Sequence, residues 1–247
     1  MNPVAVEVER GVATVTLDDP ERRNAMSLAM VEGIEAAFDD MESNSEVGAV
    51  VITGTPPAFC SGADLAALAE TSEETLLRLY DGFVRVGTSP LPTVAAVNGV
   101  AVGAGVNLAL ACDVRLAGAS SRFETTFLQL ALHPGGGHTW MVRHFAGVQT
   151  AAAMVLFGEA VDGPGAERCG LAWRCVDDDA LLPEARRMAR RVAEAPRQLA
   201  RRMKETLVAT GEVTDHNEAV ALELRPQLWS MAQPEFADRL AARLHRS

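Results

Sequence analysis

The run AAVNGVAVGAGVNLALACDVRLA, from Ala95 to Ala117, changes character three times. Thr93 to Val97 is a short apolar stretch stopped by Asn98 and Gly99, which reads as a buried strand and its turn. Gly103 to Ala111 is a small-residue segment of helical pattern, and Asp113 to Leu116 is again strand-like. Strand, glycine turn, helix and strand in that order make a βαβ unit, which places the chain in the α/β class.

Toward the N-terminus, Val4, Val6 and Val8 alternate with polar neighbours, Gly11 supplies a turn, and Val12 to Leu17 resumes strand-like sequence, a hairpin pattern. Ser27 reads as an N-cap, followed by Leu28, Val31, Ile34 and Phe38 at helical spacing through Met41. Ala49 to Thr53 (AVVIT) is another short apolar run, closed by Gly54, Pro56 and Pro57. From Thr139 onward the chain turns helical, with Ala151 to Phe157, Pro183 to Ala195, Arg197 to Ala209 and Ala219 to Met231 as helices and Ala172 to Val176 as the one strand. The closing FADRLAARLHRS is either a last amphipathic helix carrying Arg239, Arg243 and Arg246 or a solvated basic tail. No flexible linker divides the halves, so residues 1–190 are expected to form one α/β core and residues 191–247 a helical appendage.

Composition bounds the function. The chain has 247 residues, 48% hydrophobic and 22% charged, which excludes a mainly disordered or fibrous protein. A net charge of -11 disfavours nucleic acid and anionic membranes as partners, so an anionic ligand needs a local basic patch. The N-terminal stretch has no basic-then-apolar leader pattern and no segment approaches a membrane span, so the expected location is cytoplasmic. Cys60, Cys112, Cys169 and Cys175 form no CxxC pair and have no histidine at ligand spacing, so no metal site is expected. Lys204, the one lysine, sits in a charge-rich helical stretch and is a poor Schiff-base candidate.

Two glycine-rich stretches carry the chemistry: Phe59-Cys60-Ser61-Gly62-Ala63-Asp64 and Asn98 to Gly105. Small residues let backbone approach a ligand, and the free N–H groups of a turn that opens a helix suit a phosphate or a developing oxyanion. The rival readings are glycines kept for close packing and a dinucleotide fingerprint; Gly103-Ala104-Gly105 lacks the third glycine of the latter.

Taken together, Arg23-Asn24-Ala25-Met26, AFCSGADL (Ala58 to Leu65), the Ala95–Ala117 run and HPGGG (His133 to Gly137) resemble the crotonase superfamily, also called the enoyl-CoA hydratase/isomerase family, in order and spacing along essentially the whole chain. The resemblance implies a spiral of ββα turns with a helical C-terminal trimerisation region, in trimers or dimers of trimers. It implies an acyl-CoA ligand whose thioester carbonyl sits between the backbone N–H groups of Ala63 and Ala104, with no cofactor beyond the coenzyme A that the substrate carries. By position, Arg22, Arg23, Ala25, Asp64, Leu65 and Gly103 match the family's substrate-binding stretches; the C-terminal arginines are weaker matches. Arg22 and Arg23 equally read as surface residues pairing Asp19 and Glu21, and Asp64 equally as a helix N-cap.

The sequence departs from the family where hydratases place two glutamates: Asn107 and Phe127 occupy those positions. Asn107 can orient a water but cannot take its proton, and Phe127 can do neither. Glu124, His133 and His138 lie near enough to be replacement acid/base groups, each with a structural reading beside the catalytic one. Gly135 stands where some isomerases and dehalogenases carry aspartate. Trp140, Met141, Phe145, Met154 and Phe157 are either acyl-pocket lining or core and trimer packing. Two functions follow: a lyase or isomerase that stabilises a thioester enolate with an atypical acid/base set, in fatty-acid or related acyl-CoA metabolism, or a non-catalytic acyl-CoA carrier in which Phe127 fills the lost glutamate's space.

Overall fold

The computed structural model describes residues 2–69 and 72–245. The chain opens with β1 (Val4–Glu9) and β2 (Val12–Leu17), an antiparallel hairpin, then α1 (Leu28–Ser43), whose N-cap Ser27 accepts the Met30 N–H. Three turns of one pattern follow. Each gives a strand to a large sheet, a strand to a small sheet, and then helix: β3 (Ala49–Gly54) and β4 (Ala58–Cys60) before α2 (Leu65–Ala69) and α3 (Glu73–Gly87); β5 (Thr93–Val97) and β6 (Val100–Val102) before α4 (Ala104–Ala111); β7 (Val114–Gly118) and β8 (Arg122–Glu124) before α5 (His138–Phe157). The spiral closes with β9 (Val161–Asp162), α6 (Gly163–Cys169) and β10 (Arg174–Val176). Helices α7 (Asp178–Ala193), α8 (Arg197–Ala209), α9 (His216–Met231) and α10 (Pro234–Leu244) complete it.

The large sheet runs β1-β2-β3-β5-β7-β10, parallel beyond the first hairpin, and the small one β4-β6-β8-β9. A parallel strand covered on both faces reads as an unbroken apolar run. In β3, Val50 and Ile52 enter the main core with Phe38 and Phe83, while Ala49 and Val51 face a second core closed by Leu181, Ala185 and Ala189 of α7. Helix α3 lies on α1, tied by the Arg78 guanidinium on Glu35 and by Arg85 on Glu42 at 2.7 Å. The Arg78 hydrogen bonds hold the Glu35 carboxyl below its ordinary range.

Several elements are longer than the sequence pattern indicates. Helix α5 begins at His138, ahead of Ala151, and bends at Gly147, whose φ of 78° no helix interior accommodates. Helix α7 begins at Asp178, where Asp178 and Asp179 suit the positive helix end, and it carries Pro183 in its interior at the expense of one i→i−4 hydrogen bond. The FADRLAARL stretch is helical, in α10, and Arg246 lies outside the described residues. Lys204 is buried, with Nζ on the Leu91 carbonyl at 2.9 Å and on Asp113 at 2.8 Å, which makes it a brace between α8 and the large sheet.

Candidate active site

The two glycine turns meet because each glycine faces a carbonyl. A Cβ on Gly105 would collide with the Cys60 carbonyl, and one on Gly62, at φ +101°, would stand 3.0 Å from the Val102 oxygen. Side chains at either position would pry the β4–α2 and β6–α4 turns apart, so close packing and site building are here one role. The Cys60 thiol lies entirely inside this contact, and burial pushes it up to about 11, which leaves it an inert packing group.

The loop before α1 is stitched to the first of these turns. The Met26 N–H donates to the Gly62 carbonyl at 2.7 Å and the Asp64 N–H donates to the Met26 carbonyl at 3.0 Å, a parallel bridge. In such a bridge the residue between the two bonds directs its own N–H away from the partner strand, so the Ala63 N–H points outward from Met26. Asn24, fully buried and at φ 58°, holds the same loop by donating to the Thr55 and Ala58 carbonyls and accepting from the Asp19 N–H. Ala104 is the first residue of α4, so its N–H has no intrahelical acceptor and carries the positive end of the helix dipole.

Both alanines line a cavity of about 850 Å³. Of the residues singled out in the sequence, Arg22, Arg23, Ala25, Asp64, Leu65, Gly103, Asn107, Phe127 and His133 line it as well; Glu124 and His138 do not. Arg22 pairs with Asp19 at 2.8 Å and lies 3.6 Å from Asp64, and Asp64 also caps α2 through the Ala66 and Ala67 N–H groups. Surface pairing and capping therefore coexist with a place on the cavity wall.

The candidate acid/base groups fare differently. Glu124 is engaged by Arg122 at 2.9 Å on β8, which removes it from the site. His133 directs Nδ1 to the Pro134 carbonyl at 2.8 Å, a local turn contact. Asn107 is almost wholly buried. Its amide nitrogen reaches the Gly135 and Gly136 carbonyls at 3.4 and 3.3 Å, which can only accept, so its oxygen faces His138 Nδ1, 2.7 Å away, and receives that proton. Asn107 thus braces the HPGGG loop. His138 is 1% exposed, stacked edge-on to Phe127 with ring centroids 4.9 Å apart, and burial pushes its imidazole down to about 4 against an opposing pull from the Gly103 backbone. It is neutral at pH 7.

Of the apolar residues that follow the glycine run, none lines the cavity. Met154 is in the main core, Met141 and Phe145 pack against it, and Trp140 and Phe157 are exposed. The cavity's apolar wall comes instead from Leu76, Leu79, Tyr80 and Phe83 of α3 and from Leu130 and Leu132. Sequence reasoning passed over α3, although Ser72 caps it, Glu73 and Glu74 fill its first turn, and Leu79, Phe83 and Val86 recur at helical spacing.

A family model described as enoyl-CoA hydratase/isomerase matches residues 7–236. The chain is 47% identical to the probable enoyl-CoA hydratase EchA14 of Mycobacterium tuberculosis (99% of this chain, 98% of that protein). It is 33% identical to the 1,2-epoxyphenylacetyl-CoA isomerase of Escherichia coli (79% and 78% covered). Among solved structures, an enoyl-CoA hydratase subunit of Geobacillus kaustophilus superposes with a TM-score of 0.91 at 30% identity, covering 99% of this chain and 95% of that one. The ordered motifs, the ββα spiral and these likenesses lead to one conclusion: the chain belongs to the enoyl-CoA hydratase/isomerase family, also called the crotonase superfamily.

Proposed function

We propose that the protein acts on an acyl-CoA thioester by stabilising its enolate between the N–H groups of Ala63 and Ala104. The observation that carries this reading is the pairing of two outward N–H groups, one on a bridge and one at a helix start, on the wall of a single cavity. Negative charge grows on the thioester oxygen only as the enolate forms, so fixed donors there lower the barrier more than they tighten the ground state. Arg22 and Arg23, at the cavity, supply cations for the phosphates of coenzyme A, with Ala25, Asp64, Leu65 and Gly103 along the ligand's path. The subunits assemble as a homotrimer or a dimer of trimers, a reading supported by the exposed Trp140, Leu156 and Phe157 of α5 and Leu207 and Leu228 of the helical region.

A second reading, an acyl-CoA carrier without turnover, is favoured by Phe127 and by the commitment of Asn107 to the loop. Mass-spectrometric turnover of short to long 2-enoyl-CoA and 3-hydroxyacyl-CoA thioesters separates the two, with Asn107→Glu/Phe127→Glu as comparator. Turnover by the wild type supports the enzyme; tight binding with an inert wild type supports the carrier.

A further inference from the structure

The glycine run of HPGGG has a use apart from flexibility. A Cβ on Gly135 would collide with the hydroxyl oxygen of Tyr80, and one on Gly136 would stand 3.1 Å from the Tyr80 ring and 2.5 Å from Phe83. The loop is bare where α3 pushes its aromatic side chains into it, and Asn107 pins the same two residues by their carbonyls. Tyr80 is the chain's one tyrosine. Its ring is set against Phe83 at 5.7 Å and its helix is anchored to α1 by Arg78 and Arg85 on either side of it. Among the described residues its hydroxyl has no hydrogen-bond partner; it sits beside Gly135, and Tyr80 and Gly135 both line the cavity, with Leu76, Leu79, Phe83, Leu130 and Leu132.

We propose that Tyr80 is a specificity-determining residue: its hydroxyl, seated in the space that Gly135 leaves free, hydrogen-bonds an oxygen on the acyl chain, so the site selects acyl thioesters bearing a hydroxyl or carbonyl group on that chain over plain alkyl ones. The inference rests on the acyl-CoA reading above. A plain alkyl chain in this cavity displaces water from the phenol and leaves its O–H unpaired, whereas an oxygenated chain replaces the lost hydrogen bond. The partner groups nearby are already spent: the Asn107 amide on the loop carbonyls and His138, His133 Nδ1 on Pro134. The ring packs on Phe83 and its helix is anchored by Arg78 and Arg85, so part of the hydroxyl's conformational freedom is already spent.

The test is calorimetric titration of the full chain with 3-hydroxybutyryl-CoA, 4-hydroxybutyryl-CoA, butyryl-CoA and coenzyme A, on the wild type, Tyr80→Phe and Gly135→Ala. Tyr80→Phe removes the oxygen and keeps the ring; Gly135→Ala keeps the oxygen and displaces it. The expected result is that the wild type binds one of the hydroxylated thioesters roughly tenfold more tightly than butyryl-CoA, and that both variants lose the preference, Tyr80→Phe through weaker binding of the hydroxylated thioester, tighter binding of butyryl-CoA or both, with coenzyme A alone bound as by the wild type. Equal affinity for all three thioesters in the wild type, or a preference that survives in Tyr80→Phe, overturns the assignment and leaves the acyl-CoA reading standing. Failure of the wild type to bind any thioester more tightly than coenzyme A sinks both.

Discussion

One wall of the cavity is main chain and the other is side chain, and they answer to different physics. The Ala63 and Ala104 wall is built from two turns whose glycines let carbonyls and N–H groups pack within contact distance, and its donors are fixed by strand pairing and a helix start. The side-chain wall is built from Tyr80, Phe83 and Phe127, with Asn107 and His138 beside it, brought from α3, α4, α5 and the segment ahead of α5. On the acyl-CoA reading proposed above, the first wall would offer the same electrostatics to any thioester, while the second would vary with each side chain and govern what lies beyond the carbonyl.

The contrast can be broken most severely at Ala104. Proline suits the first turn of a helix, so Ala104→Pro removes one N–H without an intrahelical bond. Turnover of 2-butenoyl-CoA should fall by at least ~100-fold with the melting temperature nearly unchanged; retained turnover removes Ala104 from the site.

Acid should act on the side-chain wall through His138. His138 has a folded value of about 4 against an ordinary 6.5, so the unfolded chain binds a proton over that window and the native one does not. Stability is then complete above pH 6.5 and is lost as pH falls toward 4, by roughly 3 kcal/mol from this group. Urea unfolding of wild type and His138→Gln at pH 7.5, 5.5 and 4.5 isolates it, because the carboxylates titrate in both; parallel pH curves for the two proteins would exclude His138.

Asn107→Leu tests the brace. It strands His138 Nδ1 and two loop carbonyls, and should cost about 2 kcal/mol in denaturant unfolding while weakening the thioester preference assigned to Tyr80. An unchanged midpoint would mean that the loop holds itself. The smallest effect is expected at the surface: Arg23→Gln should raise the dissociation constant for coenzyme A by about threefold at low salt and by less at 0.5 M salt. A change that ignores salt would take Arg23 away from the phosphates.

How far the sequence was readable follows the same division. The hairpin, α1 with its Ser27 cap, and strands β3, β5 and β7 are legible because each is a local pattern of period or punctuation. The two glycine-rich turns, around Gly62 and around Gly103, are legible because a close backbone approach needs small residues in a row. Tyr80 was not, since nothing within α3 indicates that its hydroxyl ends beside Gly135, 55 positions on. Nor was the role of Asn107, whose identity rules out a base but whose bonds are set by a loop and a histidine about thirty positions away.

By itself the sequence determined the α/β class, the opening hairpin and strands β3, β5 and β7, because these depend on neighbours a few positions apart. Tertiary structure alone decided that Asn107 and His138 are locked together and that α3 rather than the start of α5 walls the cavity. Those outcomes turn on contacts between segments distant in the chain, where burial and the accounting of hydrogen bonds choose among partners that the sequence leaves equally available.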